Sequence, residues 1–274
     1  MDSVFPEKKI GLALSSGAAR GLAHIGVLAV LEKEGIPIHM IAGTSMGSLV
    51  GAVYAEGQAI NRMKQLAVEL GHEKFSFFTD PALPKSGLIR GRKIGSMLRS
   101  IIGDVEFQDL KIPFACSATD IVNNQEVVIK QGLIWEAVRA SCSIPILFTP
   151  AKFEGRYLVD GALVDPLPVK VLREMGADFV IAVNVIPADQ DANSEISNDT
   201  RTSNCPNIIS IAIQTVNIVS SRALMQSLNG ADVIIEPRVS HINFGAFHRA
   251  DEFITKGEQA AQASIFEIKR LLTR

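Results

Sequence analysis

Large aromatic side chains are scarce in this chain: one Trp and two Tyr in 274 residues, with only 6% Phe, Trp and Tyr together. A chain so poor in rings, yet 47% apolar and holding 21 glycines, suits a buried parallel sheet covered by helices better than a β-sandwich. An excess of either charge is missing too. Lys and Arg number 27 and Asp and Glu 29, for a formal net charge of -2. No basic cluster stands out, so a nucleic-acid partner has no electrostatic footprint. The cysteines Cys116, Cys142 and Cys205 lie far apart without metal-ligand spacing. That excludes a disulfide framework and reads as free thiols in a reducing compartment. Apolar runs are all interrupted before about 18 residues, so no membrane-spanning helix is expected. Residues 1–9 mix acids and bases around Pro6, unlike a signal peptide. A soluble, cytoplasmic location is the expectation.

What is present is an alternation of short apolar runs and helical patterns. Residues 9–14 read as a strand, 15–21 as a turn, and 22–34 as a helix with Ile25, Leu28 and Leu31 on one face and Gly35 as its stop. A second strand at 38–42 leads to a second helix at 46–56, ended by Gly57. Two such units predict parallel strands with both turns at one edge of the sheet. Residues 59–110 read as a helical or loop-like excursion able to cover a pocket, with "LPKSGLIRGRKIG" as connector. Further strands are expected at 112–119, 126–130 and 179–185, with a hairpin of 148–153 and 156–159 around Glu154-Gly155. Helices are expected at 134–141, 168–175, 208–228 and 251–272, with a last strand at 233–236. Residues 187–207 are rich in Asn, Asp and Ser and read as a loop. No internal repeat is visible, and one domain is the simplest reading.

The stretch "IAGTSMGSLVGAVYA" places Gly43-Thr44-Ser45-Met46-Gly47 between a strand and a helix. A G-x-S-x-G turn in that context bends sharply at its serine, which is why Gly43 and Gly47 must be small. The geometry exposes the hydroxyl near a helix N-terminus, where developing negative charge is favoured. A nucleophilic Ser45 is therefore favoured over a serine that merely caps the helix. Ser15 to Gly21, at the first strand-helix junction, offers free backbone N–H groups for an oxyanion. The same turn partly resembles a dinucleotide loop, but its G-x-G-x-x-G spacing is incomplete and no Walker lysine is present. The proton acceptor is open on residue chemistry alone. His241 and His248 follow Ser45 in the order a Ser-Asp-His triad needs. Asp160, in "RYLVDGALVDPLPV", ends a β-run before Gly161, and a carboxylate at a strand end can accept a serine proton directly in a low-polarity site. Asp160 and His248 are nearly balanced at this point.

Four stretches, "GLALSSGAARGLAHIGVLAVLEKEGI", "IAGTSMGSLVGAVYA", "ASCSIPILFTP" and "YLVDGALVDPLPV", together resemble the bacterial patatin-like phospholipases over residues 10–178. The resemblance implies a three-layer α/β/α sandwich with a mostly parallel central sheet and a lipid acyl hydrolase using a Ser-Asp dyad. Ser45 then matches the nucleophile and Asp160 the aspartate of the Asp-Gly-Gly/Ala motif. The family pattern contains no catalytic histidine, which turns the balance against His248. One segment departs from the pattern. Three consecutive glycines usually precede x-Arg-Gly, and here Ser16, Gly17 and Ala18 stand before Ala19, Arg20 and Gly21. Gly17 and Ala18 are the expected oxyanion donors, although an alanine takes positive φ only at a cost. Arg20 is expected to anchor the turn by hydrogen bonds, and His24 receives no role.

The leading expectation is therefore a serine acyl hydrolase of lipid esters, with neither metal nor organic cofactor. Membrane contact would be peripheral, with Phe75, Phe77 and Phe78 readable equally as contact residues or as core. The rival readings are an acyltransferase, a Ser-His-Asp esterase using His248, and a weakly active lipid-binding regulatory protein. The last is prompted by the altered glycine segment.

Overall fold

Two strand-turn-helix units lie side by side at the start of the chain. The computed structural model describes residues 8–72, 91–187 and 208–273. β1 (Ile10–Leu14) enters a 3-10 turn (Ala18–Leu22) that continues as α1 (Ala23–Lys33). β2 (Met40–Thr44) is separated from α2 (Met46–Glu56) by Ser45 alone. The two strands pair in parallel, Leu12 opposite Ile41. β2 begins and ends two residues later than the pattern at 38–42 indicates. The reason is local: the His39 amide donates to the Ile10 carbonyl, while its Nδ1 accepts the Ile10 amide at 2.9 Å. An imidazole thus occupies the place of a ladder carbonyl, and the regular strand starts one residue further on.

α3 (Ile60–His72) and α4 (Arg92–Ile102) follow, then β3 (Phe114–Asp120), β4 (Gln125–Ile129) and α5 (Ile134–Ser141). The hairpin pairs β5 (Ala151–Phe153) with β6 (Arg156–Asp160). β5 is shorter than 148–153 because Leu147 and Phe148 form a small buried cluster of their own, and the Phe148 amide closes a turn on Ile144. α6 (Val169–Glu174), β7 (Phe179–Val183), α7 (Ile208–Ser227), β8 (Val233–Ile235) and α8 (Ala250–Leu272) complete the order.

The sheet has eight strands, in the order β5-β6-β3-β2-β1-β7-β8 with β4 also on β3. It is parallel from β3 through β8 along that path and antiparallel where β4, β5 and β6 join. Strand alternation sends large side chains to one face and small ones to the other. Leu12, Leu14, Ile41, Ile181 and Val183 pack with α1, α2 and α8 in the main core. Ala13, Ala42, Ala115 and Ala182 face Val169, Leu172 and Leu224 of α6 and α7. Helices therefore cover both faces, giving the α/β/α sandwich.

One detail of the register builds the site. Ala118 pairs with Val127 of β4 and with Asp160 of β6, while Ser117 pairs with Val128 of β4 and Thr44 of β2. A strand residue has two edges, and β4 takes one of them throughout. β2 and β6 must therefore share the other edge, running toward each other. Their C-terminal ends meet between Ser117 and Ala118, so Ser45 and Asp160 face one another although 115 positions separate them.

Candidate active site

Ser45 sits at φ 53 and ψ -121, a conformation that L residues adopt only under constraint, at a cost of about 1–3 kcal/mol. The surroundings impose it. A Cβ on Gly43 would lie 2.5 Å from the Gly47 carbonyl oxygen, and one on Gly47 would press on the carbonyls of Leu14 and Ser15. No larger residue fits either position. The Ser45 amide donates to Ser141 Oγ at 2.8 Å, and Ser141 Oγ donates in turn to the Ser117 carbonyl at 2.7 Å. Ser48 Oγ donates to the Ser45 carbonyl at 2.6 Å. Both polar groups of the strained peptide are thus held by buried hydroxyls.

The Ser45 hydroxyl donates to Asp160 Oδ2 at 2.7 Å. The other carboxylate oxygen accepts the Ala162 amide at 2.9 Å. The backbone of Asp160 is fixed on two sides: its amide donates to the Ser143 carbonyl, and its carbonyl accepts from Thr119 Oγ1, each at 2.9 Å. Gly161 is needed because a side chain there would run into the Ser117 carbonyl. Asp160 is 1% exposed and Ser45 8%. Burial pushes the Asp160 carboxyl up to about 6, against the opposing hydrogen bonds from Ala162 and Ser45. At neutral pH it is an ionised carboxylate in a dry setting, bonded to a serine proton. That arrangement can accept the proton as the oxygen attacks an electrophile.

The turn after β1 is fastened nearly all round. Its amides at Ser15, Ser16 and Ala19 donate to the carbonyls of Val183, Pro166 and Phe244. Arg20, 2% exposed, donates from Nε to the Ile242 carbonyl and from an Nη to that of Ser240. It therefore ties the turn to residues 240–242. His24 Nε2 donates to the Ser15 carbonyl at 2.9 Å, and full burial pushes its imidazole down to about 4, so the ring is neutral. Among the described residues, the amides of Gly17 and Ala18 enter none of these bonds. Ala18 adopts φ 47; the alanine accepts the conformation that a glycine takes freely. A Cβ on Gly17 would collide with Val185, and Gly21 leaves room for the side chain of Met46.

The alternative proton acceptors lie elsewhere. His248 is exposed on the 3-10 turn Phe247–Arg249. His241 Nε2 lies 3.6 Å from Glu252 at the surface. Three residues with structural parts to play carried no assigned role from sequence: Ser141, Ser48 and His24. Ser141 stands in the "ASCSIP" motif, the one available signal. Phe75, Phe77, Phe78, Cys205 and residues 188–207 lie outside the described residues, as does most of the 59–110 excursion's connector. Among the described residues, no group of three or more potential metal ligands is found, and no helix is long and apolar enough to cross a membrane.

The family model for patatin-like phospholipases matches residues 12–173. An NTE family protein of Mycobacterium tuberculosis, described as uncharacterised, is 38% identical over 177 residues, covering 65% of this chain and 49% of that protein. Lysophospholipase NTE1 of Scheffersomyces stipitis is 30% identical over 275 residues, covering 93% of this chain but 18% of its own length. The chain thus spans about half, or less, of the relatives it matches. Among solved structures, VipD from Legionella pneumophila superposes with a TM-score of 0.54 at 13% identity, covering 94% of this chain and 66% of that one. At that identity the likeness speaks for the fold.

Proposed function

The chain belongs to the patatin-like phospholipase family, and from that premise we propose that it is a serine acyl hydrolase cleaving carboxylic esters of lipids, with Ser45 as nucleophile and Asp160 as proton acceptor. The observation that carries this reading is the 2.7 Å bond from Ser45 Oγ to a buried carboxylate oxygen. Asp160 takes the hydroxyl proton as Oγ attacks the ester carbonyl carbon. The carbonyl oxygen gains the negative charge, and the free amides of Gly17 and Ala18 hold it. As the C–O bond to the alcohol breaks, Asp160 returns the proton to the leaving oxygen, and the acyl group stays on Ser45 as an ester. Water then gives a proton to Asp160 and attacks the acyl carbon. Collapse releases the fatty acid, and Ser45 Oγ recovers its proton.

The positive φ of Ala18 supports an intact oxyanion turn, since the backbone keeps the bend despite the missing glycine. That favours hydrolysis over the weakly active lipid-binding reading. The fungal relatives' name, lysophospholipase, makes single-chain phospholipids the narrower substrate expectation. The test is labelling with a fluorophosphonate probe alongside p-nitrophenyl ester hydrolysis. Wild type should label at Ser45 and turn over ester. Ser45→Ala should do neither, Asp160→Asn should lose hydrolysis, and His248→Ala should keep it. Loss in His248→Ala with Asp160→Asn active overturns the assignment.

A further inference from the structure

The stretch that supplies Asp160 carries a second aspartate, Asp165, which is buried and has no part in the dyad. Its carboxyl is occupied on one side: Oδ1 accepts Ser227 Oγ at 2.7 Å and the Leu167 amide at 3.3 Å. Glu126 of β4, half-buried, is occupied in the same way, its Oε1 accepting Ser117 Oγ at 2.8 Å. The two carboxyls also bond to each other. Such a bond needs a proton, because a carboxylate only accepts and two in contact repel. Burial pushes both groups up from their ordinary values, while Lys170 of α6 acts on both in the opposite direction. β3 and α7 face the pair with the hydroxyls of Ser117 and Ser227. One acid and one carboxylate is the state that meets every contact.

Short routes lead from this pair to both halves of the dyad. The Asp165 carbonyl accepts Thr44 Oγ1 at 2.8 Å, and Thr44 immediately precedes the nucleophile. Ser117, whose hydroxyl Glu126 holds, offers its carbonyl to Ser141 Oγ, and Ser141 Oγ receives the Ser45 amide. The Asp165 amide donates to the Gly161 carbonyl at 2.9 Å, next to Asp160. Resting on the acyl-hydrolase reading above and extending it, we infer that Glu126 and Asp165 are positioning residues of the dyad. Joined through Oε2 and Oδ2 by one shared proton, they lock β4 to the segment after β6 and hold the Ser45 turn against Asp160. Hydrogen bonds between an acid and a carboxylate are about twice as strong as neutral ones. That strength suits a clamp on a backbone held at φ 53.

Three substitutions and two spectroscopies test the pair. Glu126→Gln keeps the acceptor for Ser117 and gives Asp165 an N–H donor that needs no shared proton. Glu126→Met keeps the volume and loses both. At pH 8, Glu126→Gln should hydrolyse p-nitrophenyl ester within about threefold of wild type, while Glu126→Met loses about 10- to 100-fold in kcat with KM little changed. Ser117→Ala, a milder cut of the same route, should lower kcat in smaller measure. The Asp160 carboxyl, followed by carbon-13 NMR, reads the dyad without turnover. It should titrate at about 6 in wild type and in Glu126→Gln, and higher in Glu126→Met, where the lowering bond from Ser45 slackens. In Asp160→Asn protein at pH 8, infrared spectroscopy should show a protonated-carboxyl band that adding Glu126→Gln removes. Near-UV circular dichroism checks folding. Wild-type kcat and an unmoved Asp160 titration in whichever of Glu126→Met and Ser117→Ala folds overturn the positioning, as does a Glu126→Gln protein as impaired as Glu126→Met. Absence of the band overturns the shared proton. A wild type that turns over no ester sinks the hydrolase reading, while the titration and the band still decide the pair.

Discussion

Replacing Asp160 by Asn should remove activity and raise stability, and the gain should depend on pH. The carboxyl is buried and pushed from 3.8 up to about 6 by desolvation. A folded pKa above the unfolded one means that the native state binds more protons between those two values. Stability contributed by the neutral form is therefore present below about pH 4 and is lost as pH rises to about 6. The displacement of about two units corresponds to about 3 kcal/mol, fully felt at pH 7. Asn keeps the shape: its carbonyl can accept the Ala162 amide, and its NH₂ can donate to Ser45 Oγ. It has no charge to desolvate. Thermal melts of both proteins at pH 4, 5, 6, 7 and 8 read the effect. With an unfolding entropy of about 2.1 cal/mol/K per residue, Tm of Asp160→Asn should exceed that of wild type by about 5 °C more at pH 7 than at pH 4. Glu126 and Asp165, also pushed up by burial, are common to both proteins and cancel in the difference. A Tm difference flat from pH 4 to 7, or one that moves in favour of wild type as pH rises, would refute the idea that the site holds a costly buried carboxylate.

The same titration should appear in turnover: kcat/KM for an uncharged ester should fall about tenfold per pH unit below about 6 and be level above it, because only the carboxylate accepts the serine proton. Ser141→Ala removes the acceptor of the Ser45 amide and the donor to the Ser117 carbonyl, so kcat should fall about 10- to 100-fold with KM little changed, and Ser141→Cys should restore part of it. Ala18→Gly relieves a positive φ of 47 and should raise stability by up to about 1 kcal/mol in urea titration while leaving ester hydrolysis at or above the wild-type rate.

The serine turn was legible in the sequence because most of its requirements are local. Gly43 is dictated by the Gly47 and Ser48 backbone within five residues of it, although Gly47 answers to the distant Leu14 and Ser15 carbonyls, and the strand before and helix after Ser45 announce themselves by pattern. Its partner was not legible in the same way. Asp160 and His248 looked equivalent because neither carries a local mark of where it ends up. What separates them is the register of β3, along whose edge β2 and β6 run head-on into each other. That is a non-local fact, and only the resemblance of whole motifs supplied it ahead of the structure. The same reasoning explains the smaller discrepancies. β2 starts late because one imidazole replaces a ladder carbonyl, an exchange that hydrophobic periodicity cannot register. Ser141 stayed silent because a hydroxyl in a helix is ordinary until its neighbours are known. Once β3 brings Ser117 beneath it, that hydroxyl links the Ser45 amide to the strand against which Asp160 is registered. The two halves of the site are thus positioned by one strand, so a change in β3 that leaves both Ser45 and Asp160 untouched acts on the distance between them.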